Sequence, residues 1–63
     1  MKLIGFDVHG RPDGRWVEIE IINCNDDLAR YTDSTGVSVD LTVCEAREQE
    51  QNFISVGFKQ GGK

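Results

Sequence analysis

The stretch Arg11-Pro12-Asp13-Gly14-Arg15-Trp16-Val17-Glu18-Ile19-Glu20-Ile21-Ile22 joins two kinds of local signal. Its first four residues carry turn chemistry, since proline presets the second dihedral and glycine takes a left-handed one. From Trp16 to Ile22 it alternates, with Val17, Ile19 and Ile21 on one face of a strand and Glu18 and Glu20 on the other. Upstream, Leu3 to His9 is predicted as the partner strand, with Ile4, Phe6 and Val8 on its apolar face. The two apolar faces must coincide, because a slip of one residue sends every side chain to the wrong side. A four-residue loop closed by Gly10 and Arg15 satisfies that condition. It pairs Val8 with Val17, Phe6 with Ile19 and Ile4 with Ile21. It also keeps Pro12, which has no N–H to give, out of the ladder.

Two further strands follow from alternation. In Val37 to Cys44, Val37, Val39, Leu41 and Val43 alternate with Ser38, Asp40, Thr42 and Cys44. Phe53 to Lys59 places Ile54, Val56 and Phe58 inward. Between the second and third strands, Asn25 is a cap for a short helix. Asp26 and Asp27 would stand in its positive first turn, and Leu28 and Tyr31 would share a face. An ordered loop is the alternative there. The polar segment from Glu45 to Asn52 either extends a hairpin into solvent or forms one helical turn.

The expected fold is therefore mainly β, or α+β if the linker helix forms. It is a four-stranded antiparallel sheet in one domain over residues 1–63, with a frayed tail at 60–63. The linker offers only Leu28, Ala29 and Tyr31 to cover the apolar face. A strongly curled sheet or a homodimer is the expected remedy.

Charge narrows the partners. Eleven acids against seven bases give a net charge of −4. Phosphate contacts need Lys and Arg, so direct nucleic-acid binding is disfavoured, as is an anionic membrane surface. A basic protein partner is favoured. No apolar run is long enough to span a bilayer and no signal-peptide core opens the chain, so a cytoplasmic protein is expected. Cys24 and Cys44 are expected at opposite ends of the sheet, as free thiols in a reducing compartment.

In the expected register Asp7 lies opposite Glu18, and Asp40 lies beside Glu18 on the next strand. Like charges facing each other across a strand pair are destabilising. Asp7, Glu18, Glu20 and Asp40 would form one acidic patch, with His9 at its edge, Lys2 and Lys59 at its periphery, and Trp16 on the same face as an interface anchor. No residue set points to catalysis, and no cofactor or metal is implied. His9 with Cys24 or Ser34 lacks anything to position it. Asn23, Asn25, Asp26 and Asp27 lack the glycine and terminal glutamate of a calcium loop. The expected function is that of a small acidic inhibitor that docks on a basic surface of a nucleic-acid-handling protein and blocks it. By analogy of class alone this resembles the anti-CRISPR and anti-restriction proteins of phages and mobile elements. The alternatives are an immunity protein that neutralises a basic nuclease toxin, and an assembly subunit that dimerises through its apolar sheet face.

Overall fold

The computed structural model describes residues 1–61. Five strands and one helix run in the order β1 (Lys2–Phe6), β2 (Pro12–Asn23), β3 (Leu28–Asp33), β4 (Ser38–Leu41), α1 (Val43–Ser55) and β5 (Lys59–Gln60). The strands form one antiparallel sheet in the order β4-β3-β2-β1-β5. Both ends of that order are open edges, so the sheet neither closes nor curls strongly as expected. The reason is that α1 packs on β2, β3 and β4 and supplies a cover that the linker could not.

β2 forms where its alternation predicts, with Val17 and Ile19 buried and Glu18 and Glu20 exposed. The register of its first partner is different. Lys2 pairs with Glu18, Leu3 with Val17 and Ile4 with Trp16. The face of β1 is thereby reversed: Leu3 is 1% exposed in the core, while Ile4 and Phe6 lie on the opposite face. The chain turns back at Asp7–Arg11, where the Asp7 carboxylate accepts from the N–H groups of His9 and Arg11 at 2.8 and 3.0 Å. Val8, expected in the core, is 95% exposed in this loop. Pro12 opens β2 opposite Phe6, a first-strand position where a missing N–H is tolerated.

The turn residues Asp13 and Gly14 make a bulge instead of a hairpin tip. Between Trp16 and Pro12, three residues of β2 oppose Gly5 alone. Gly14 takes φ 90°, and Asp13 folds its carboxylate onto the N–H and Nε of Arg15 at 3.1 and 2.6 Å.

The linker is a hairpin and not a helix. Asn23 Oδ1 accepts from the N–H groups of Asn25 and Asp26, and Asp27 takes φ 55° to complete the reversal into β3. Ala29, Tyr31 and Asp33 line the inner face of β3. Ala29 and Ala46 of α1 are both 0% exposed, so two methyl groups let the helix approach the sheet closely.

The expected third strand ends early because Thr42 caps α1. Its hydroxyl accepts from Glu45 N–H at 3.1 Å, and the Glu45 carboxylate accepts from Thr42 N–H at 3.0 Å. The Asp27 carboxylate accepts from Val43 N–H at 2.9 Å, satisfying a further helix-end donor. Phe53 belongs to the last turn of α1 and not to a fourth strand. Gly57, at φ 105°, then reverses the chain. Its N–H bonds to Ile54 O at 3.1 Å, and Phe58 N–H bonds to Phe53 O at 3.0 Å. This returns Phe58 to the core while Val56 is left 71% exposed.

Leu3, Val17 and Phe58 form one core cluster and Ile19, Ala29 and Ala46 a second, with Tyr31 against both. Gln60 pairs with Leu3, and Gly61 N–H bonds to Lys2 O at 2.8 Å. Of the expected frayed tail, Gly62 and Lys63 lie outside the described residues.

The two faces of β1 should respond differently to truncation. Leu3→Ala is expected to cost about 2–5 kcal/mol in urea unfolding, and Ile4→Ala roughly 1 kcal/mol. The reverse order would restore the register with Ile4 in the core.

Candidate functional site

The helix leaves one face of the sheet open. Along β1, β2, β3 and β4 this outer face carries Lys2 opposite Glu18 opposite Thr32, then Glu20 opposite Arg30 opposite Asp40. Trp16 lies opposite Ile4 in the same plane. Trp16, Glu18, Glu20 and Asp40 thus share one face, as the alternation predicts. Asp7 does not join them, because its carboxylate closes the β1–β2 loop.

The expected opposition of like charges is overturned. Once Lys2 replaces Asp7 beside Glu18, and β3 intervenes between β2 and β4, each carboxylate row contains a cation. Arg30 Nε bonds to Asp40 Oδ1 at 3.1 Å, an exposed pair of small energetic weight. Glu18 and Glu20 form no ion pair among the described residues. Lys2 Nζ stands 4.8 Å from the Trp16 ring centroid, and Lys59 Nζ 5.5 Å from that of Phe6. Lys2, Arg30 and Lys59 therefore balance Glu18, Glu20 and Asp40 on this face. The excess of acid lies elsewhere, at Asp26 and Asp27 in the β2–β3 turn and at Glu45, Glu48 and Glu50 against Arg47 on α1.

Alternation along β2 found Trp16, Glu18 and Glu20, but it put Lys2 and Lys59 only at the periphery of the patch and missed Arg30. Lys2 needed the correct β1 register. Arg30 needed β3 to be recognised as a strand, and its interior row of Ala29, Tyr31 and Asp33 gives no hydrophobic alternation.

Two grooves indent the helix side. One, of about 430 Å³, lies between Ile19 and Ile21 of the sheet and Ala46, Arg47 and Glu50 of α1. The other, of about 290 Å³, lies where the C-terminal turn of α1 leaves β2 and β3. Tyr31 and Asp33 border the second. Tyr31 hydroxyl donates to Asp33 Oδ2 at 2.6 Å, while Asp33 Oδ1 accepts from the Thr35 hydroxyl and from the N–H groups of Thr35 and Val37. These donors, the Thr35 hydroxyl first and Tyr31 next, hold Asp33 down at about 2. Burial, reinforced by the Asp33 carboxylate, raises Tyr31 to about 12. Asp13 is lowered as well, first by the Arg15 N–H.

Nothing in these grooves assembles a nucleophile with a base. His9 lies in the β1–β2 loop, Cys24 in the β2–β3 turn, and the Ser34 hydroxyl accepts from Trp16 N–H at 3.2 Å. No group of three His, Cys, Asp or Glu side chains that could hold a metal ion is found among the described residues. Cys24 and Cys44 are both exposed and unbridged. They lie at the same end of the molecule and not at opposite ends, because Asp27 ties the β2–β3 turn to the start of α1. No helix among the described residues is long and apolar enough to cross a membrane.

The Asp33 bonds give a signed pH dependence. The folded value of about 2 lies below the ordinary 3.8, so the stabilisation is present above about 4 and is lost as pH falls through about 2. Tyr31 acts in the opposite sense. Its raised value contributes stability below its ordinary 10.0, lost as pH rises through about 12. Urea midpoints of wild type should fall across the acid window, and those of Asp33→Asn should fall less steeply. Parallel curves would show that Asp33 does not set acid stability. Comparison with protein-family models, with curated proteins and with solved structures gives no match.

Proposed function

We propose that the chain is a small protein-binding module that docks through the open face of its sheet onto a basic partner. The observation that carries this reading is the placement of Trp16 beside Glu18 and Glu20. These two carboxylates have no ion-pair partner among the described residues, on a face that no other layer covers. Tryptophan is enriched at the centres of interfaces, and a partner cation would complete the charge of either glutamate. Ile4 and Phe6 extend the apolar part of the surface beside Trp16. The net charge of −4 supports attraction toward a basic surface at long range.

On this reading the protein acts by occupancy. It covers a Lys- and Arg-rich surface on a nucleic-acid-handling protein and so inhibits it. A basic nuclease toxin neutralised by an immunity protein is one case of the same physics. Self-assembly is a second reading with its own observation. The apolar face that a dimer would have used is occupied by α1, but β4 leaves an unpaired edge at Ser38–Leu41, with Val37 and Val39 exposed.

Wild type, used as bait at low and high salt beside a folded Glu18→Lys, Glu20→Lys variant, tests the docking face. Wild type should retain a basic protein at low salt, release it as salt rises, and prevent it from binding nucleic acid. The variant should bind that protein at least about tenfold more weakly, roughly 1.4 kcal/mol. Equal capture by the variant would remove the outer face from the reading. A salt-insensitive dimer by sedimentation, with no basic protein retained, would favour assembly through β4.

A further inference from the structure

The groove of about 290 Å³ at the C-terminal end of α1 combines aromatic walls with negative charge. Tyr31 and Phe53 stack with ring centroids 6.1 Å apart, and Phe53 meets Phe58 edge-on at 5.0 Å. Val17 and Val56 complete the apolar lining. Two sources of negative charge converge there. One is the carboxylate of Asp33, whose Oδ1 accepts three hydrogen bonds while Oδ2 accepts one, from Tyr31. Oδ2 therefore keeps a lone pair open beside the ring. The other, weaker, is the C-terminal end of α1, the negative end of the helix dipole, where the last turn holds no basic residue although the Phe53 and Ile54 carbonyls already accept from Phe58 and Gly57 N–H.

One cation, Arg15, lines the groove and is already engaged. Its Nε bonds to Asp13 at 2.6 Å, its terminal nitrogen bonds to Phe6 O at 3.2 Å, and its guanidinium lies 5.0 Å from the Phe58 ring centroid. The fold thus already places one guanidinium of the lining against this aromatic cluster, with its charge met by Asp13, while the Asp33 carboxylate in the same lining forms no ion pair among the described residues. At about 290 Å³ the groove is small for an independent ligand, whose sites start near ~300 Å³, but roomy for one long side chain.

We propose that this groove receives an arginine side chain of a protein partner, with Tyr31, Phe53 and Phe58 as the aromatic wall and Asp33 as the counter-charge. Cation–π attraction and a charge-assisted hydrogen bond to Oδ2 would hold the guanidinium. The inference goes beyond the outer-face reading and relies on it only for the basic character of the partner. Trp16 belongs to the outer row and also borders the groove, so a partner laid over that end of the sheet reaches both.

The test needs no partner. N-acetylarginine amide is titrated into the ¹⁵N-labelled full chain, with N-acetylnorleucine amide as an uncharged probe with an alkyl side chain. The arginine compound should shift the amide signals of Asp33, Val56 and Phe58 saturably, and the norleucine compound should not. Val56→Lys, at a 71% exposed position that leaves the core intact, should weaken the arginine response about fivefold by placing a like charge at the rim. Glu18→Lys, Glu20→Lys should leave it unchanged. Equal shifts from both compounds, shifts centred on Glu18 and Glu20, or a response unaffected by Val56→Lys would each overturn the assignment. An arginine response confined to the groove upholds it whether or not a basic protein is captured on the outer face, so the two readings fail separately.

Discussion

Phe58 occupies the space that a side chain at residue 5 would fill. A β-carbon built on Gly5 would come within 3.1 Å of the tip of the Phe58 ring, and equally close to Asp13 and Arg15. The ring arrives there because Gly57 turns the chain back at the end of α1 and sets Phe58 edge-on against Phe53. Once a large ring must lie over Gly5, the row Leu3 and Gly5 has to face inward. Ile4 and Phe6 must then face outward, although they are the more apolar pair on average. The rest of the outer surface follows from that choice. Lys2 comes opposite Glu18, Lys59 comes beside Phe6, and Asp7 is released into the loop.

The other half of the core rests on closeness instead of bulk. Ala29 and Ala46 let α1 approach β3, and the ends of the helix are satisfied by the Thr42–Glu45 capping box, by Asp27 across the gap, and by the Gly57 reversal. A chain of 63 residues buries a small fraction of its surface, so such terminal hydrogen bonds are a large share of what separates folded from unfolded. Asp26 and Asp27 beside the β2–β3 turn and Glu45 on α1 are accordingly engaged with the chain's own N–H groups and with Asn23. Among the described residues, three of the five acids that carry the excess charge are thus tied to the chain itself, and Glu48 and Glu50 on α1 are not.

Much of this was legible locally and little of it globally. The strand character of β2 was plain because the strict alternation of Val17, Glu18, Ile19, Glu20 and Ile21 leaves no competing period. Asp13-Gly14 was correctly a site of left-handed backbone, but whether such a pair makes a hairpin tip or a bulge depends on where the Asp7 carboxylate closes the chain. Thr42 with Glu45 three residues on, and Gly57 after an apolar residue, are helix boundary signals. They were outweighed by the alternation of Val37, Val39, Leu41 and Val43 before them and of Ile54, Val56 and Phe58 after them. β3 had no such pattern, since a helix resting on Ala29 asks for a small residue where a strand pattern asks for a large one. The placement of Trp16, Glu18, Glu20 and Asp40 on one face survived because it depends only on parity within β2 and β4. Their electrostatic surroundings did not, because those depend on which strands are neighbours.

That difference alters what the outer face can contribute to recognition. A contiguous acidic patch would attract any cationic surface, and its attraction would fade within a Debye length of about 8 Å at physiological salt. On the proposed reading, a face on which Lys2, Arg30 and Lys59 alternate with Glu18, Glu20 and Asp40 would attract weakly and discriminate by register. A partner shifted by one strand spacing would meet like charge instead of opposite charge. The net charge of −4 that favours encounter with a basic protein resides mainly on α1 and the β2–β3 turn. On that reading long-range attraction and short-range fit would fall on different parts of the molecule, and Trp16 stands at the end of the sheet where the outer row meets the aromatic groove. Selectivity would then arise from the order of charges along β2 and its neighbours, with affinity concentrated at the Trp16 end.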